Sequence, residues 1–236
     1  MDKGVLYLIP VVIADEANST IPEQVRSTIK KLDSFLVENL RTARRYISSL
    51  KLDITIEELE FRELNKNTSD TEVYQLMQPL LQGKCIGVLS ESGCPGVADP
   101  GAKAVSFAHK HKVQVVPLVG PSSILLALMA SGLNGQKFSF HGYLPIKTTE
   151  LRPVIQDLEL SSSHKGFAHI FIEAPYRNQQ LFKNLLQIAH GETLLCVARD
   201  LTGREEFVRT MPIRKWKEEN IKLHKIPTIF ILQTPA

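Results

Sequence analysis

Two strand-loop-helix units in tandem constrain the fold of this chain more than any other feature. Residues 86–89 form an apolar run that enters a loop of Ser, Gly, Cys and Pro, followed by Asp99 and Pro100. Aspartate can cap a helix and proline suits its first position, so we expect a helix there. A second apolar run, 113–119, leads into a loop ending at Ser122 and Ser123 and into a second helix. Loops at strand ends beside helix N-termini form the usual ligand crevice of open α/β sheets, so we expect a ligand there.

Composition limits the class of protein. The chain has 236 residues, 43% of them hydrophobic, which is enough for two domains with buried cores. Its 28 basic and 25 acidic residues give a formal charge of +3, which neither requires nor excludes a polyanionic partner. Three scattered cysteines and the lack of a signal sequence predict a cytoplasmic protein with reduced thiols. No apolar run approaches the roughly 20 residues of a membrane helix.

Strand and helix patterns alternate along the whole chain, which predicts α/β architecture in both halves. We place the domain boundary so that the domains span 1–118 and 119–236. Capping boxes are expected at Thr20 with Glu23 and at Ser69 with Glu72. A basic helix is expected over 213–224, with Trp216 in the core. Strands are expected at 5–9, 34–37, 86–89, 113–119, 168–173, 193–198, 207–210 and 228–233.

Several common sites lack their sequence signatures. The chain has no Gly-x-Gly-x-x-Gly after its first strand and no Gly-x-x-x-x-Gly-Lys-Ser/Thr loop, which argues against ordinary dinucleotide and P-loop nucleotide binding. Its histidines and cysteines do not have metal-ligand spacing, so we expect no metal. No Gly-x-Ser-x-Gly elbow surrounds the loop serines, which are therefore interpreted as caps and turns.

Three segments together resemble a known superfamily. They are LSESGCPGVADPG at 89–101, VPLVGPSS at 116–123 and FSFHGYLP at 138–145. In order and spacing they resemble the tetrapyrrole methylases, the class III methyltransferases, and within these the ribosomal RNA small subunit methyltransferase I family. Further similar segments are ENLR at 38–41, FIEAPYR at 171–177 and ARDLT at 198–202.

The resemblance implies an S-adenosylmethionine-dependent methyltransferase without a metal, acting on RNA as a homodimer. It implies two α/β domains with the cofactor in a cleft between them. The positions that match the family's cofactor contacts are Pro10, Glu91, Gly93, Ser122, Ser123, Ala174 and Thr228. Small residues at such positions let main-chain groups approach a ligand closely.

The expected chemistry needs few catalytic side chains. The sulfonium of S-adenosylmethionine already activates the methyl group, so the protein must align the acceptor and exclude water. A base near the acceptor could take its proton. The candidates are Glu38 and Glu173 at strand ends, although Glu38 could equally pair with Arg41. Arginines that could contact phosphates, or could simply be solvated, are Arg41, Arg44, Arg45 and Arg177.

One departure from the family keeps alternatives open. The family's first loop normally contains a glycine turn, Pro-x-Pro-Ile-Gly-Asn-Leu-x-Asp, whereas residues 10–18 read PVVIADEAN. Our leading hypothesis is methylation of RNA, at a ribose 2′-hydroxyl of small-subunit ribosomal RNA. The alternatives are a methylase of a tetrapyrrole or other small acceptor, and a degenerate module that binds cofactor or RNA without activity.

Overall fold

The computed structural model describes residues 3–235. It divides into two compact units, residues 1–122 and residues 123–236. The predicted boundary falls after residue 118, and the observed division falls after Ser122. Each unit has its own sheet, as the α/β prediction required.

The first unit contains a five-stranded parallel sheet in the order β3-β2-β4-β1-β5. Its strands are β1 (Val5–Ile9), β2 (Ser34–Val37), β3 (Glu60–Glu63), β4 (Ile86–Leu89) and β5 (Gln114–Pro117). Its helices are α1 (Glu23–Ile29), α2 (Leu40–Ser49), α3 (Asp70–Leu81) and α4 (Gly101–Lys110), with short 3-10 turns at Asn18–Thr20 and Ile56–Glu58.

Two core clusters form against this sheet. One contains Ile9, Phe35 and Val25, and the other contains Leu36 and Met77, all of them fully buried. Every residue of β2 and β4 is buried, which explains why both strands are apolar apart from Ser34. Because all strands run in parallel, the loops after β1, β2, β4 and β5 leave from the same edge of the sheet.

The two predicted capping boxes have different outcomes. Ser69 caps α3, and Glu72 accepts a hydrogen bond from the Ser69 backbone N–H at 2.7 Å, which confirms that box. The box at Thr20 is wrong. The Thr20 hydroxyl donates to the Ala17 carbonyl at 2.7 Å within a 3-10 turn, and α1 begins later with Pro22 as its N-cap.

The second unit contains a mixed sheet in the order β6-β7-β10-β8-β9, in which only β6 and β7 pair in parallel. Its strands are β6 (Phe138–Tyr143), β7 (Ala168–Ile172), β8 (Leu194–Arg199), β9 (Phe207–Pro212) and β10 (Thr228–Gln233). Its helices are α5 (Ser123–Ser131), α6 (Thr148–Lys165), α7 (Asn178–Ile188) and α8 (Ile213–Trp216), with a 3-10 turn at Pro175–Arg177.

The basic helix expected over 213–224 is much shorter than predicted. It ends at Trp216, whose buried indole N–H donates to the Leu195 carbonyl at 2.8 Å, so the predicted core position of Trp216 is confirmed. Further along, the backbone N–H of Leu223 donates to the Gln179 side chain at 2.8 Å. Leu223 is fully buried, so packing of this side chain draws the segment away from a helical path.

Two histidines pair inside the second unit. His141 Nε2 lies 2.9 Å from His169 Nδ1, and His169 is 3% exposed. Burial, and then repulsion from a charged His141, lower the pKa of His169 to about 4. Burial also lowers the pKa of His141. Both rings are therefore neutral at pH 7, and one ring donates a hydrogen bond to the other.

We expect the free energy of unfolding to fall as the pH is lowered from 7 to 5. The unfolded chain protonates His169 near pH 6.5, whereas the folded chain resists protonation until about pH 4. The stabilisation is thus complete above the unfolded pKa and is lost below it, by at most about 1.4 kcal/mol per pH unit for one group. Urea denaturation of the parent and of His169→Gln at both pH values measures this effect. The control is His164→Gln, at an exposed position on α6. If the free energy of unfolding had the same pH dependence in the parent and in His169→Gln, the assignment of this dependence to His169 would be wrong.

Candidate functional site

Three loops at the carboxyl edge of the parallel sheet contact one another in the first unit. The backbone N–H of Val11, after β1, donates to the Gly93 carbonyl after β4 at 2.9 Å. The Cys94 thiol donates to the Pro121 carbonyl, after β5, at 3.4 Å. The loops predicted from the tandem strand-loop-helix units therefore lie side by side, and the loop after β1 joins them although it lacks the family's glycine turn.

Two glycines allow these loops to approach so closely. Gly93 has a φ of +68°, which favours glycine, and an added Cβ would lie 3.3 Å from the Pro121 carbonyl oxygen. At Gly120 an added Cβ would lie 2.2 Å from the Pro10 ring. A side chain at Gly120 would clash with Pro10, and one at Gly93 would strain the left-handed backbone, so both contacts between the loops depend on glycine.

The predicted cofactor residues of the first unit lie on these loops. Pro10 is buried, and its carbonyl accepts a hydrogen bond from the Tyr46 hydroxyl at 3.0 Å. The Glu91 carboxylate accepts one from the Thr42 hydroxyl at 2.5 Å. Helix α2, which supplies both donors, therefore fixes the loops after β1 and β4. Ser122 follows the loop after β5 and ends the first unit.

The Asp99 carboxylate is engaged in hydrogen bonds within the loop before α4. Its Oδ1 accepts the backbone N–H groups of Gly96 and Gly101, each at 2.7 Å. The sequence predicts Asp99 as the N-cap of α4 and Pro100 as its first residue. In the structure Pro100 is the N-cap and the helix begins at Gly101. With these two hydrogen bonds the carboxylate stabilises the turn between β4 and α4.

Glu38 is a half-buried carboxylate at the end of β2. Burial raises its pKa, as do the nearby charges of Asp99 and Glu91, while Lys66 partly offsets them. None of the ion pairs within the described residues includes Glu38, so the alternative pairing with Arg41 is not observed. A carboxylate with a raised pKa and no ion pair is suited to accept a proton.

A groove of about 920 Å³ opens beside these loops in the first unit. It is bounded by Val11 and Glu91 on the loops and by Arg44, Arg45 and Tyr46 on α2. The Arg44 guanidinium lies 5.4 Å from the centre of the Phe61 ring, which orients it. Both cations are exposed, so two of the four arginines singled out in the sequence border a groove next to the candidate cofactor loops, and Arg41 and Arg177 do not line it.

In the second unit, Glu173 is buried in an ion pair. Its Oε1 accepts the backbone N–H of Ala174 at 2.7 Å and a guanidinium N–H of Arg177 at 2.6 Å. The hydrogen bond to Glu173 also raises the pKa of Arg177. Arg177 neutralises the carboxylate charge, and the pair fixes the backbone of Ala174.

The remaining predicted cofactor residues also belong to the second unit. Thr228 is buried at the start of β10, and its hydroxyl donates to the Ile226 carbonyl at 2.9 Å. Because Ile229 is the register partner of Ile172, the end of β7 brings Ala174 close to Thr228. Ser123 begins α5.

Sequence reasoning missed three residues around the candidate site. Thr42 and Tyr46 hold the loops, and Lys66 acts electrostatically on Glu38. Asn39 is the N-cap of α2, and its side chain accepts hydrogen bonds from the backbone N–H groups of Arg41 and Thr42. An asparagine at this position was the sequence signal that α2 begins at this edge. Nothing in the local sequence indicated Lys66.

Within residues 3–235, no three His, Cys, Asp or Glu side chains are grouped so that they could hold a metal ion. The helices of that same range are all too short or too polar to cross a membrane. Cys85, Cys94 and Cys196 are all free thiols.

Comparison with solved structures places the fold. The methyltransferase CobJ matches all of this chain and 95% of its own, with a TM-score of 0.65 and 14% identity. A uroporphyrin-III C-methyl transferase from Thermus thermophilus, complexed with S-adenyl homocysteine, matches 98% of this chain and 97% of its own, with a TM-score of 0.56 and 18% identity. The predicted tetrapyrrole methylase fold is confirmed.

Sequence comparison identifies the family. No family model matches the chain. A protein of Halalkalibacterium halodurans named ribosomal RNA small subunit methyltransferase I is 30% identical over 209 residues, which are 88% of this chain and 68% of that protein. Its namesake in Vibrio cholerae is also 30% identical over 209 residues, 89% of this chain and 69% of that protein. The chain therefore belongs to the ribosomal RNA small subunit methyltransferase I family, as the sequence motifs predicted.

Proposed function

We propose that this protein transfers a methyl group from S-adenosylmethionine to RNA, at a ribose 2′-hydroxyl of small-subunit ribosomal RNA. The observation that carries the proposal is the 30% identity to ribosomal RNA small subunit methyltransferase I over 88% of the chain. A tetrapyrrole acceptor is less well supported, because the uroporphyrin-III C-methyl transferase is similar to this chain in fold alone, at 18% identity.

The three contacting loops fit the cofactor. Glycine at positions 93 and 120 lets their main chains pack closely, because a Cβ at Gly120 would clash with the Pro10 ring and Gly93 has a left-handed backbone conformation. Exposed backbone N–H and C=O groups can bind the polar groups of a nucleoside and an amino acid without selecting for side-chain charge. When bound, S-adenosylmethionine supplies a methyl group already activated by its sulfonium.

Glu38 supplies the base in this proposal. Methyl transfer to a hydroxyl forms an O–C bond, breaks the C–S bond and releases the hydroxyl proton, which the Glu38 carboxylate accepts. Its raised pKa brings the group closer to neutral pH, where a base is both unprotonated and able to hold the proton. Glu173 is a weaker candidate because Arg177 already neutralises its charge. We propose that Glu173 positions Ala174 instead.

The groove beside α2 would receive the RNA. Its volume of about 920 Å³ lies within the roughly 300–1,000 Å³ of small-ligand sites, enough for one or two nucleotides. Arg44 and Arg45 stand at its side and can take phosphate oxygens. Four acidic residues also line the groove, namely Asp15, Glu16, Glu57 and Glu91, so the arginines provide local contacts rather than a broad positive field.

A homodimer and a cytoplasmic location belong to the same proposal. The homodimer rests on the family resemblance. The location rests on that resemblance and on the three free thiols, which suit a reducing compartment.

The direct test is incubation of the protein with labelled S-adenosylmethionine and unmodified small-subunit ribosomal RNA, followed by digestion to nucleosides. Label in a 2′-O-methylnucleoside is expected. Binding of the cofactor without methylation of RNA would contradict the RNA substrate, and transfer of label to uroporphyrinogen would select the tetrapyrrole alternative. Absence of S-adenosylmethionine binding by calorimetry would favour a module without activity.

Glu38→Gln should lower kcat by about 10²–10⁴, the usual contribution of a general base, and leave the Kd for S-adenosylmethionine unchanged. In the parent, kcat/KM should fall as the pH is lowered through the raised pKa of Glu38, because the protonated carboxyl cannot accept a proton. The acidic limb of the profile of kcat/KM against pH should therefore lie at higher pH than an ordinary glutamate would give. Glu58→Gln, at an exposed position in the first unit, is the control. Full activity of Glu38→Gln would exclude Glu38 as the base.

Arg44→Gln combined with Arg45→Gln should raise the KM for RNA by about tenfold and reduce its salt dependence, since two phosphate contacts are lost. The matched control is Lys30→Gln with Lys31→Gln, which removes the same charge near the end of α1, where both lysines are exposed. Equal effects of the two double variants would mean that only net charge matters, and that the groove does not hold phosphates.

A further inference from the structure

A second groove, of about 470 Å³, lies in the first unit between edge strand β3, the loop at 65–68 and helix α3. It is separate from the residues that line the groove beside α2. The residues that line it are Arg62, Glu63, Asn65, Asn67, Thr68, Glu72, Gln75 and Leu76. Three of these eight carry side-chain amides, so the chemistry of the groove differs from that of a phosphate site.

Two of the three charged groups in this groove are already engaged. The Arg62 guanidinium donates to Glu60 at 2.8 Å. Hydrogen bonds from Lys84 and then from Arg62 lower the pKa of Glu60 to about 2, so the ion pair persists at neutral pH. Glu72 accepts hydrogen bonds from the backbone N–H and the hydroxyl of Ser69 in the capping box. A phosphate would therefore find no uncommitted cation in the groove.

The amides, by contrast, have unused hydrogen-bonding groups. Within residues 3–235, the side chains of Asn67 and Gln75 make no hydrogen bond, and the Nδ2 group of Asn65 donates none. Each primary amide offers a donor and an acceptor side by side. This is the pairing that reads the edge of a nucleobase, as asparagine and glutamine do with adenine.

The loop that carries Asn65 and Asn67 is held by four hydrogen bonds. The Asn67 backbone N–H donates to Asn65 Oδ1, and the Asn65 backbone N–H donates to the Thr68 hydroxyl, each at 2.9 Å. From α4, the Lys103 ammonium donates to the Thr68 carbonyl at 2.6 Å and to the Lys66 carbonyl at 3.3 Å. A loop fixed in this way loses little entropy when a ligand binds.

The loop also begins beside the proposed base. The Leu64 backbone N–H donates to the Val37 carbonyl at 2.8 Å, so residue 65 and Glu38 leave neighbouring strands at the same edge of the sheet. Lys66 is close enough to Glu38 to act on its charge. A nucleotide next to one whose ribose reaches Glu38 could therefore extend towards this groove.

We propose that the groove between β3 and α3 binds one nucleobase of the RNA substrate, near the methylated nucleotide, through the side-chain amides of Asn67 and Gln75. The inference rests on the proposed function and adds a specificity subsite to it. The subsite would help the enzyme to select its position in the RNA, whereas Arg44 and Arg45 bind any RNA phosphate.

The test uses the full chain and the shortest small-subunit ribosomal RNA fragment that the parent methylates. Asn67→Ala combined with Gln75→Ala should raise the KM for this fragment by about tenfold, with kcat at saturating RNA and the Kd for S-adenosylmethionine unchanged. Gln24→Ala, which removes an exposed amide on α1, is the matched control and should have no effect.

A second arm identifies the occupant. A series of fragments, each with one abasic nucleotide near the methylated position, is measured with the parent and the double variant. For one position the abasic change should weaken binding to the parent but not to the double variant, because the same contact is already lost. Additive losses at every position, or an unchanged KM for the double variant, would overturn the proposal. If the parent methylates no RNA at all, the proposed function fails instead.

Discussion

The close approach of three loops at the carboxyl edge of the parallel sheet is the constraint on which the candidate site depends. Gly120 lies against the Pro10 ring with no room for a Cβ. Gly93 has a left-handed backbone conformation, and its carbonyl accepts a hydrogen bond from the Val11 N–H. These contacts join segments that follow β1, β4 and β5. The absence of side chains at the two glycines brings the three main chains together at this edge, where candidate cofactor residues of the first unit lie.

Acidic side chains that follow strands of the two sheets have different roles because their partners differ. Asp99 receives two backbone N–H groups and stabilises a turn, and in the second unit Glu173 is neutralised by Arg177. Glu38 has neither kind of partner, and burial together with two neighbouring carboxylates makes its charged form costly. Hydrogen bonding and charge, rather than residue type, thus separate a structural carboxylate from a candidate base.

Much of the fold could be predicted from the sequence because its strands are short apolar runs ended by turn residues. The bounds of β1, β2, β4 and β10 agree with the prediction, and so does the capping box at Ser69. The errors arose where tertiary contacts override local preference, as in the segment after α8, which leaves the helix at Trp216 and buries Leu223 instead. The motifs indicated the cofactor loops, whereas Tyr46 and Lys66 act on the site through spatial contacts that no local pattern encodes.

The strand order has a consequence for how the first unit is built. Strand β1, which ends at Ile9, pairs with β4 and β5. The earlier of these two strands, β4, begins only at Ile86. While the protein is being synthesised, β1 therefore has no neighbour in its sheet until those later strands emerge, and its apolar residues stay exposed for that time. Such long-range pairing slows folding and leaves the growing chain prone to aggregation. The same topology that gathers distant loops at one edge thus delays burial of the N-terminal strand until β4 and β5 are available.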